Sequence, residues 1–154
     1  MSRSSMRRLI NFWPPFLGAG IKVKRFKDDI TSVDVQLKMH WWNKNYVGTH
    51  FGGSLYAMTD PFYMVILMEN LGRDYIVWDK GAKIDFKKPG KGTLKAHFNI
   101  PAEEIERIKE QADTNYKVEP EFTVQVKDEG GDVVAEVHKT LYVRRKDKTK
   151  EPKP

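Results

Sequence analysis

"GTHFGGSLYAMTDPFYMVILMEN", residues 48–70, is the most apolar stretch of the chain, yet it holds a carboxylate at Asp60. From Leu55 to Met68 only Thr and Tyr hydroxyls and Asp60 interrupt the apolar residues. An ionised Asp is rarely buried without a partner, so Asp60 either caps a helix or does chemistry. Residues 54–70 are long enough for one helix, and their nearly uniform apolarity predicts that protein wraps it on most sides. Pro61 opposes a continuous helix, because it cannot donate to the Ala57 carbonyl. Asp60-Pro61 also fits an N-cap followed by a first helical residue, and both readings stand at this stage.

Upstream, "SVDVQLKMHWW" alternates Val33, Val35, Leu37 and Met39 against Asp34, Gln36, Lys38 and His40, the period of a half-buried strand. Downstream, "YIVWD", "AKIDF", "GTLKAHFNI", "EFTVQVKD" and "VVAEVHKTLYVRR" show alternation or β-branched enrichment, with "EGGD" as a Gly-Gly hairpin connection between the last two. "PAEEIERIKEQA" opens on Pro101 and acidic residues and sets Ile105, Ile108 and Ala112 on one side, which predicts a second, surface helix. Residues 5–13 place Met6, Leu9, Ile10 and Trp13 at helical spacing before Pro14-Pro15, which predicts a short helix laid on the body. The order predicts an α+β domain whose antiparallel sheet curls around a long central helix. The expected division is an N-terminal helical segment over 1–29, the sheet-and-helix domain over 30–145, and a charged C-terminal tail over 146–154. One helix cannot cover both faces of such a sheet, so an edge or face wants a partner, and a two-fold homodimer is the commonest solution.

At 154 residues the chain fits one domain with a real core, and a hydrophobic fraction of 40% excludes a disordered chain. The absence of cysteine excludes a disulfide framework, a thiolate metal site and a cysteine nucleophile. His40, His50, His97 and His138 are not spaced as a metal-binding pair, so no metal site is expected. The balance of 27 basic and 21 acidic residues, +6, favours anionic partners without choosing among them. Part of that excess lies in "MSRSSMRR" and "RRKDKTKEPKP", which read as solvated tails. No nucleic-acid recognition helix or aromatic platform is evident. The run "LINFWPPFLGAGI" is broken by Asn11 and Pro14-Pro15, and residues 48–70 are too interrupted to span a bilayer. The N-terminal helix is short and weakly basic for membrane contact. The expectation is a soluble, cytoplasmic protein with neither a nucleic-acid nor a membrane partner.

Read as chemistry, "NYVGTHFGGSLYAMTD" delivers a side-chain amide at Asn45, a glycine pair at Gly52-Gly53 and a carboxylate at Asp60. If the helix begins near Ser54, the amides around Gly53 are unpaired donors at its positive end, suited to a carbonyl oxygen that gains negative charge. Glycine there lets a substrate approach the backbone closely. The seven residues from Gly53 to Asp60 make two helical turns, which predicts that both face one side. Tyr56 and Tyr63 flank Asp60 at spacings of four and three, within reach for a hydrogen bond or for packing. Lys87, Lys88 and Lys91 in "KKPGKG" either meet anionic phosphates or form a solvated turn. Trp41-Trp42 and Trp78 either line an apolar tunnel or serve as core or interface aromatics.

These residues resemble the hotdog-fold acyl-CoA thioesterase superfamily, in its phenylacetate-pathway thioesterase-like branch. The flanking "WPPFLGAGI" looks like a DUF4442-like subfamily of unknown function within that fold. Asn45, Gly48, Phe51-Gly52-Gly53 and Asp60 fall at the spacing of that branch, and the resemblance covers residues 30–145; Phe51 stands where the branch places His, with His50 one step away. The resemblance implies a hotdog fold and hydrolysis of an acyl thioester, on coenzyme A or an acyl carrier. It makes Asn45 the residue that orients thioester or water, an amide near Gly53 the group that polarises the carbonyl, and Asp60 the carboxylate that activates water or attacks. Gly52, His50, Phe51, Tyr56, Tyr63, Lys87, Lys88 and Lys91 would then contact substrate. Coenzyme A enters only as part of the substrate, with no metal or other cofactor, and the sites lie at a homodimer interface, with a dimer of dimers as the larger option. The alternative is a non-catalytic hotdog module that binds an acyl or lipid-like ligand.

Overall fold

Apolar residues at every second position put one face of each strand inward, and the computed structural model, which describes residues 2–149, uses that face to wrap a helix. The elements are α1 (Arg3–Asn11), α2 (Pro14–Ala19), β1 (Ile21–Phe26), β2 (Ser32–Leu37), α3 (Gly52–Ala57), α4 (Phe62–Leu71), β3 (Tyr75–Phe86), β4 (Leu94–Asn99), α5 (Ala102–Thr114), β5 (Glu121–Lys127) and β6 (Val133–Arg145). The strands form one antiparallel sheet in the order β1-β2-β4-β5-β6-β3. Val33, Val35 and Leu37 of β2, and Leu94, Ala96 and Phe98 of β4, are buried together as the alternation predicts. The α+β reading is correct, and the sheet curls around α4. Phe62 of α4 lies 5.0 Å from the Phe98 ring and 6.0 Å from Phe16, while Tyr63 stacks on Phe122 at 4.7 Å. Helix α5 buries Ile105, Ile108 and Ala112, the side the sequence marked.

Four local expectations change. The central helix over 54–70 is two helices: the last turn of α3 tightens, with Thr59 N–H donating to Tyr56 O at 2.9 Å and Asp60 N–H to Ala57 O at 3.3 Å, and α4 starts after Pro61. Asp60 is therefore not a side-chain cap, since Pro61 occupies the N-cap of α4 and no side chain bonds that helix start. "YIVWD" and "AKIDF" are one strand, β3, with a bulge between Asp79 and Gly81. Within 1–29, Ile21–Phe26 forms the edge strand β1, so the sheet begins before residue 30. Its signal was the alternation of Ile21 and Val23 with Lys22 and Lys24. Among the described side chains of α1 only Met6 is buried and Ile10 packs against the core, whereas Leu9, and Trp13 beyond the helix, face outward, so half of the predicted face is inward. The end of the tail, residues 150–154, lies outside the described residues.

Helix α1 joins the sheet through Asn11, which exchanges hydrogen bonds with the Val23 backbone, and α2 joins it through Asn43. Its Oδ1 accepts from His40 N–H at 2.7 Å, and its Nδ2 donates to Lys38 O at 2.7 Å and to Ala19 O at 3.0 Å. This ties the end of α2 to the exit of β2, where Gly20 takes a left-handed φ of 82°. Asn43→Ala leaves these buried groups without a partner and should destabilise the fold by about 2 kcal/mol in urea unfolding. Asn43→Asp should fare no better, because a carboxylate accepts from His40 but cannot donate to the two carbonyls.

Candidate active site

The segment 45–53 turns back to place the start of α3 against the 86–90 connection, and a cleft of about 440 Å³ lies between them, lined by Asn45, His50, Gly52, Phe86, Lys87 and Lys88 among others. Three sequence-marked site groups thus come together here: the Asn45 loop, the first glycine of the pair, and two lysines. His50 is buried; its N–H donates to Gly90 O at 2.9 Å and its ring Nε2 lies 2.7 Å from Gly92 O. A carbonyl only accepts, so Nε2 carries a proton, and in the neutral imidazole Nδ1 is the acceptor. That Nδ1 is buried and has no hydrogen-bond partner among the described residues. Beside it, the first amides of α3 have no intrahelical acceptor, the donor geometry an oxyanion uses.

Gly52 and Gly53 each lie close under an aromatic ring, so a side chain at either position would make an exposed ring shift. A Cβ on Gly52 would lie 3.1 Å from the Phe86 ring, and one on Gly53 would lie 2.5 Å from the Phe51 ring. Phe51 is exposed and folds over Gly53. Asn45 differs from its expected role, because its side chain is spent on its own loop. Oδ1 accepts from Val47 N–H at 3.1 Å and Thr49 N–H at 2.9 Å, while Nδ2 donates to Thr49 Oγ1 at 2.7 Å and His50 O at 3.3 Å. It shapes the cleft and offers a substrate little.

Asp60 lies past the other end of α3 and does not line this cleft. Its partner is Lys139, a fully buried lysine at an inward position of β6, between Val137 and Leu141. Lys139 Nζ donates to Asp60 O at 3.0 Å and approaches Asp60 Oδ1 at 3.3 Å and Asp79 Oδ2 at 3.2 Å. Those three acceptors match the three protons of an ammonium. The Tyr56 ring lies 5.4 Å from the same nitrogen. Asp79 pairs with Leu141 in the ladder, a diagonal neighbour of Lys139 on the inner face, and the bulge restores the pairing beyond it. Burial raises the Asp79 carboxyl above its ordinary 3.8, with the Lys139 charge acting the other way, and its Oδ1 is buried without a hydrogen bond. Burial also raises the Tyr56 hydroxyl, and the adjacent Asp60 adds to that direction. Asp60 itself is half-exposed, so it keeps an oxygen toward solvent.

The remaining expectations divide. Tyr63 is a core residue, not a substrate contact: its hydroxyl donates to Thr123 O at 2.8 Å and burial pushes it up to about 12. Lys88 is held by Asp128 and Asp132, each at 2.8 Å, which occupies a cation expected for phosphate. Lys87 lines the cleft and Lys91 does not. Trp41, Trp42 and Trp78 are exposed, with Trp42 stacked on His40 and Trp78 on Tyr142, so none is a core residue. Among the described residues no cluster of acidic and histidine side chains could hold a metal ion. Sequence reading missed Lys139 and Asp79; the signal for Lys139 was a lysine at an apolar position of the alternating β6.

Removing Lys139 strands Asp79. Lys139→Met should cost about 3 kcal/mol at neutral pH, the scale of a broken buried ion pair. The pH dependence has a defined sign. A folded carboxyl raised above 3.8 holds its proton more tightly than the unfolded one, so stability falls as pH rises through the window between the two values. Without the lysine that window extends upward, and the deficit of Lys139→Met should shrink on acidification. Adding Asp79→Asn should recover most of it, measured by urea unfolding across pH.

Among solved structures, the fold resembles a Pseudomonas aeruginosa protein of unknown function called a probable thioesterase, at 20% identity and a TM-score of 0.85, covering 94% of this chain and 97% of that one. A Haemophilus influenzae thioesterase shares it at 12% identity and a TM-score of 0.68, over 94% and 92% of the two chains. A Chlorobaculum tepidum protein of unknown function does so at 12% identity and 0.73, over 92% and 93%. These likenesses establish the hotdog fold. No curated protein matches the chain. The model of a domain of unknown function, DUF4442, matches residues 3–143, nearly the whole length, and the chain belongs to that family.

Proposed function

We propose that this protein hydrolyses an acyl thioester carried on coenzyme A or an acyl carrier. The observation that supports this most is the cleft at the start of α3, where helix amides, a buried unpartnered His50 Nδ1 and Lys87 converge in a fold shared with proteins called thioesterases. Water adds to the thioester carbonyl carbon as Asp60 takes its proton, and the amides near Gly52 and Gly53 stabilise the oxyanion. Collapse breaks the C–S bond, and the thiolate leaves with the proton returned, giving acid and thiol. The reaction is redox-neutral and needs no cofactor beyond the carrier.

Asp60 and Gly52 stand at opposite ends of α3, so one chain does not bring both onto one carbonyl. The family resemblance implies a two-fold homodimer with the two central helices side by side, and pairing through the β3 edge would place the carboxylate of one copy against the cleft of the other. β3 supports this reading: it is a 12-residue edge strand with Trp78 and Phe86 exposed. A second reading, a module that binds an acyl ligand without cleaving it, is favoured by the internal bonding of Asn45 and by Phe51 lying over Gly53.

Release of free thiol from a panel of acyl-CoA esters of graded length tests hydrolysis. Turnover should fall about a hundredfold or more in Asp60→Asn, which keeps an oxygen for Lys139 but cannot act as a base. Saturable binding of these esters without thiol release would replace hydrolysis by the binding reading. Light scattering should give a dimer whose interface is on the order of 1,000 Å² or more. A folded monomer at micromolar concentration would exclude a site shared between copies.

A further inference from the structure

The first 27 residues contain Arg3, Arg7, Arg8, Lys22, Lys24, Arg25 and Lys27 and no acidic residue; the remaining 127 contain 20 basic and 21 acidic residues. A second basic run, six basic and two acidic residues, lies over 144–154, but the N-terminal segment alone has basic residues and no acidic one, with Arg25 and Lys27 paired to Asp34 and Asp29 beyond it. That segment folds as α1, α2 and β1 at one edge of the sheet, opposite β3. Its inward side is already filled by Met6 and Phe16, both buried. Yet Leu9, Phe12, Trp13 and Leu17 remain 64%, 71%, 47% and 49% exposed on the outside. The apolar and charged sets are interleaved: a groove of about 380 Å³ places Phe12 and Leu17 beside Arg7, Arg8, Lys22 and Lys24. A second groove of about 340 Å³ continues from Leu17, Lys22 and Lys24 to Trp42. Neither groove has an acidic residue in its wall.

We propose that this face docks the protein on an anionic phospholipid bilayer. Aromatic and aliphatic side chains flanked by cations are what the boundary between headgroups and acyl chains accommodates, the cations meeting phosphates while the apolar groups leave water. The α1 sequence alone is short and weakly basic; the fold adds the outer side of α2 and the lysines of β1 to it. A second copy is a poor occupant, because a two-fold contact would set one cationic face against its twin. Nucleic acid could stack on Phe12 and Trp13 but is the poorer occupant, since Leu9 and Leu17 offer it neither stacking nor hydrogen bonds while a bilayer takes up all four side chains. Docking is peripheral: among the described residues no helix is long and apolar enough to cross a membrane. The proposal is independent of whether the cleft hydrolyses thioesters.

Flotation of the full chain with vesicles tests it. The protein should bind vesicles of equimolar phosphatidylcholine and phosphatidylglycerol, lose binding as salt is raised, and ignore pure phosphatidylcholine. Each cation removed among Arg7, Arg8, Lys22 and Lys24 by substitution to Gln should weaken binding about fivefold. Phe12→Ser with Leu17→Ser should weaken it at unchanged charge, and both side chains are exposed enough for the fold to survive. A charge-matched variant remote from this face, Lys109→Gln, Lys117→Gln, Lys146→Gln and Lys148→Gln together, should keep binding. Failure to bind anionic vesicles, equal binding to neutral ones, or equal loss in the remote variant would overturn the proposal. So would a change of oligomeric state in the Phe12/Leu17 variant, which would make the face a contact between copies. Salt-sensitive binding to RNA or DNA in place of vesicles would overturn it too.

Discussion

An ammonium on the apolar face of β6 is the constraint around which the centre of this fold is arranged. The Lys139 ammonium is fully buried with three protons to satisfy, and it bonds to Asp60 O and Oδ1 and pairs with Asp79 Oδ2. An uninterrupted helix through residue 60 would spend the Asp60 carbonyl on the N–H four residues on, and Pro61 is the residue that ends such a helix. The broken helix and the lysine therefore solve each other's problem. Asp60 in the most apolar stretch is the partner of a charge that lies 79 residues away in sequence.

That distance explains how much could be read from sequence. Periodicity is local, so β2, β4, α5, β5 and β6 follow from alternation and helical spacing alone, as the buried sets Val33/Val35/Leu37 and Ile105/Ile108/Ala112 show. The bulge that joins two apparent strands into β3 is also local, but it interrupts the period at Lys80 and so imitates a strand end. β1 was legible in Ile21 and Val23, yet its dense basic residues resemble a solvated arm. The outward turn of Leu9 and Trp13 had no local signal, because which side of α1 meets the sheet is set by where β1 lies.

The site was legible in its backbone more than in its side chains. The glycine pair marks a tight approach, and the structure supplies two aromatic rings as the reason. Asn45, Tyr63 and Lys88 have the chemistry of a site but are satisfied elsewhere, by a loop, a strand carbonyl and two carboxylates. Hydrogen-bond partners cannot be read from one strand of sequence when they come from another. His50 is the reverse case: marked in the sequence only as an expected substrate contact beside Phe51, it is buried, its Nε2 bonds to Gly92 O, and its Nδ1 has no partner among the described residues.

Placing the charged segment at the edge opposite β3 separates two surfaces that would otherwise interfere. Strand pairing through β3 requires close approach of two copies, and a concentrated positive charge on that edge would oppose it. With Arg7, Arg8, Lys22 and Lys24 gathered by β1, the β3 edge carries Asp79 and Asp85 against Lys80 and Lys83 and would meet its like at little electrostatic cost. A two-fold pairing there would also leave both cationic faces exposed, one on each copy. Two such faces on one rigid body bind a surface more tightly than one only if both can reach it together. The twist of the paired sheets, which sets the angle between those faces, would therefore decide whether a dimer meets a flat bilayer with one face or with two.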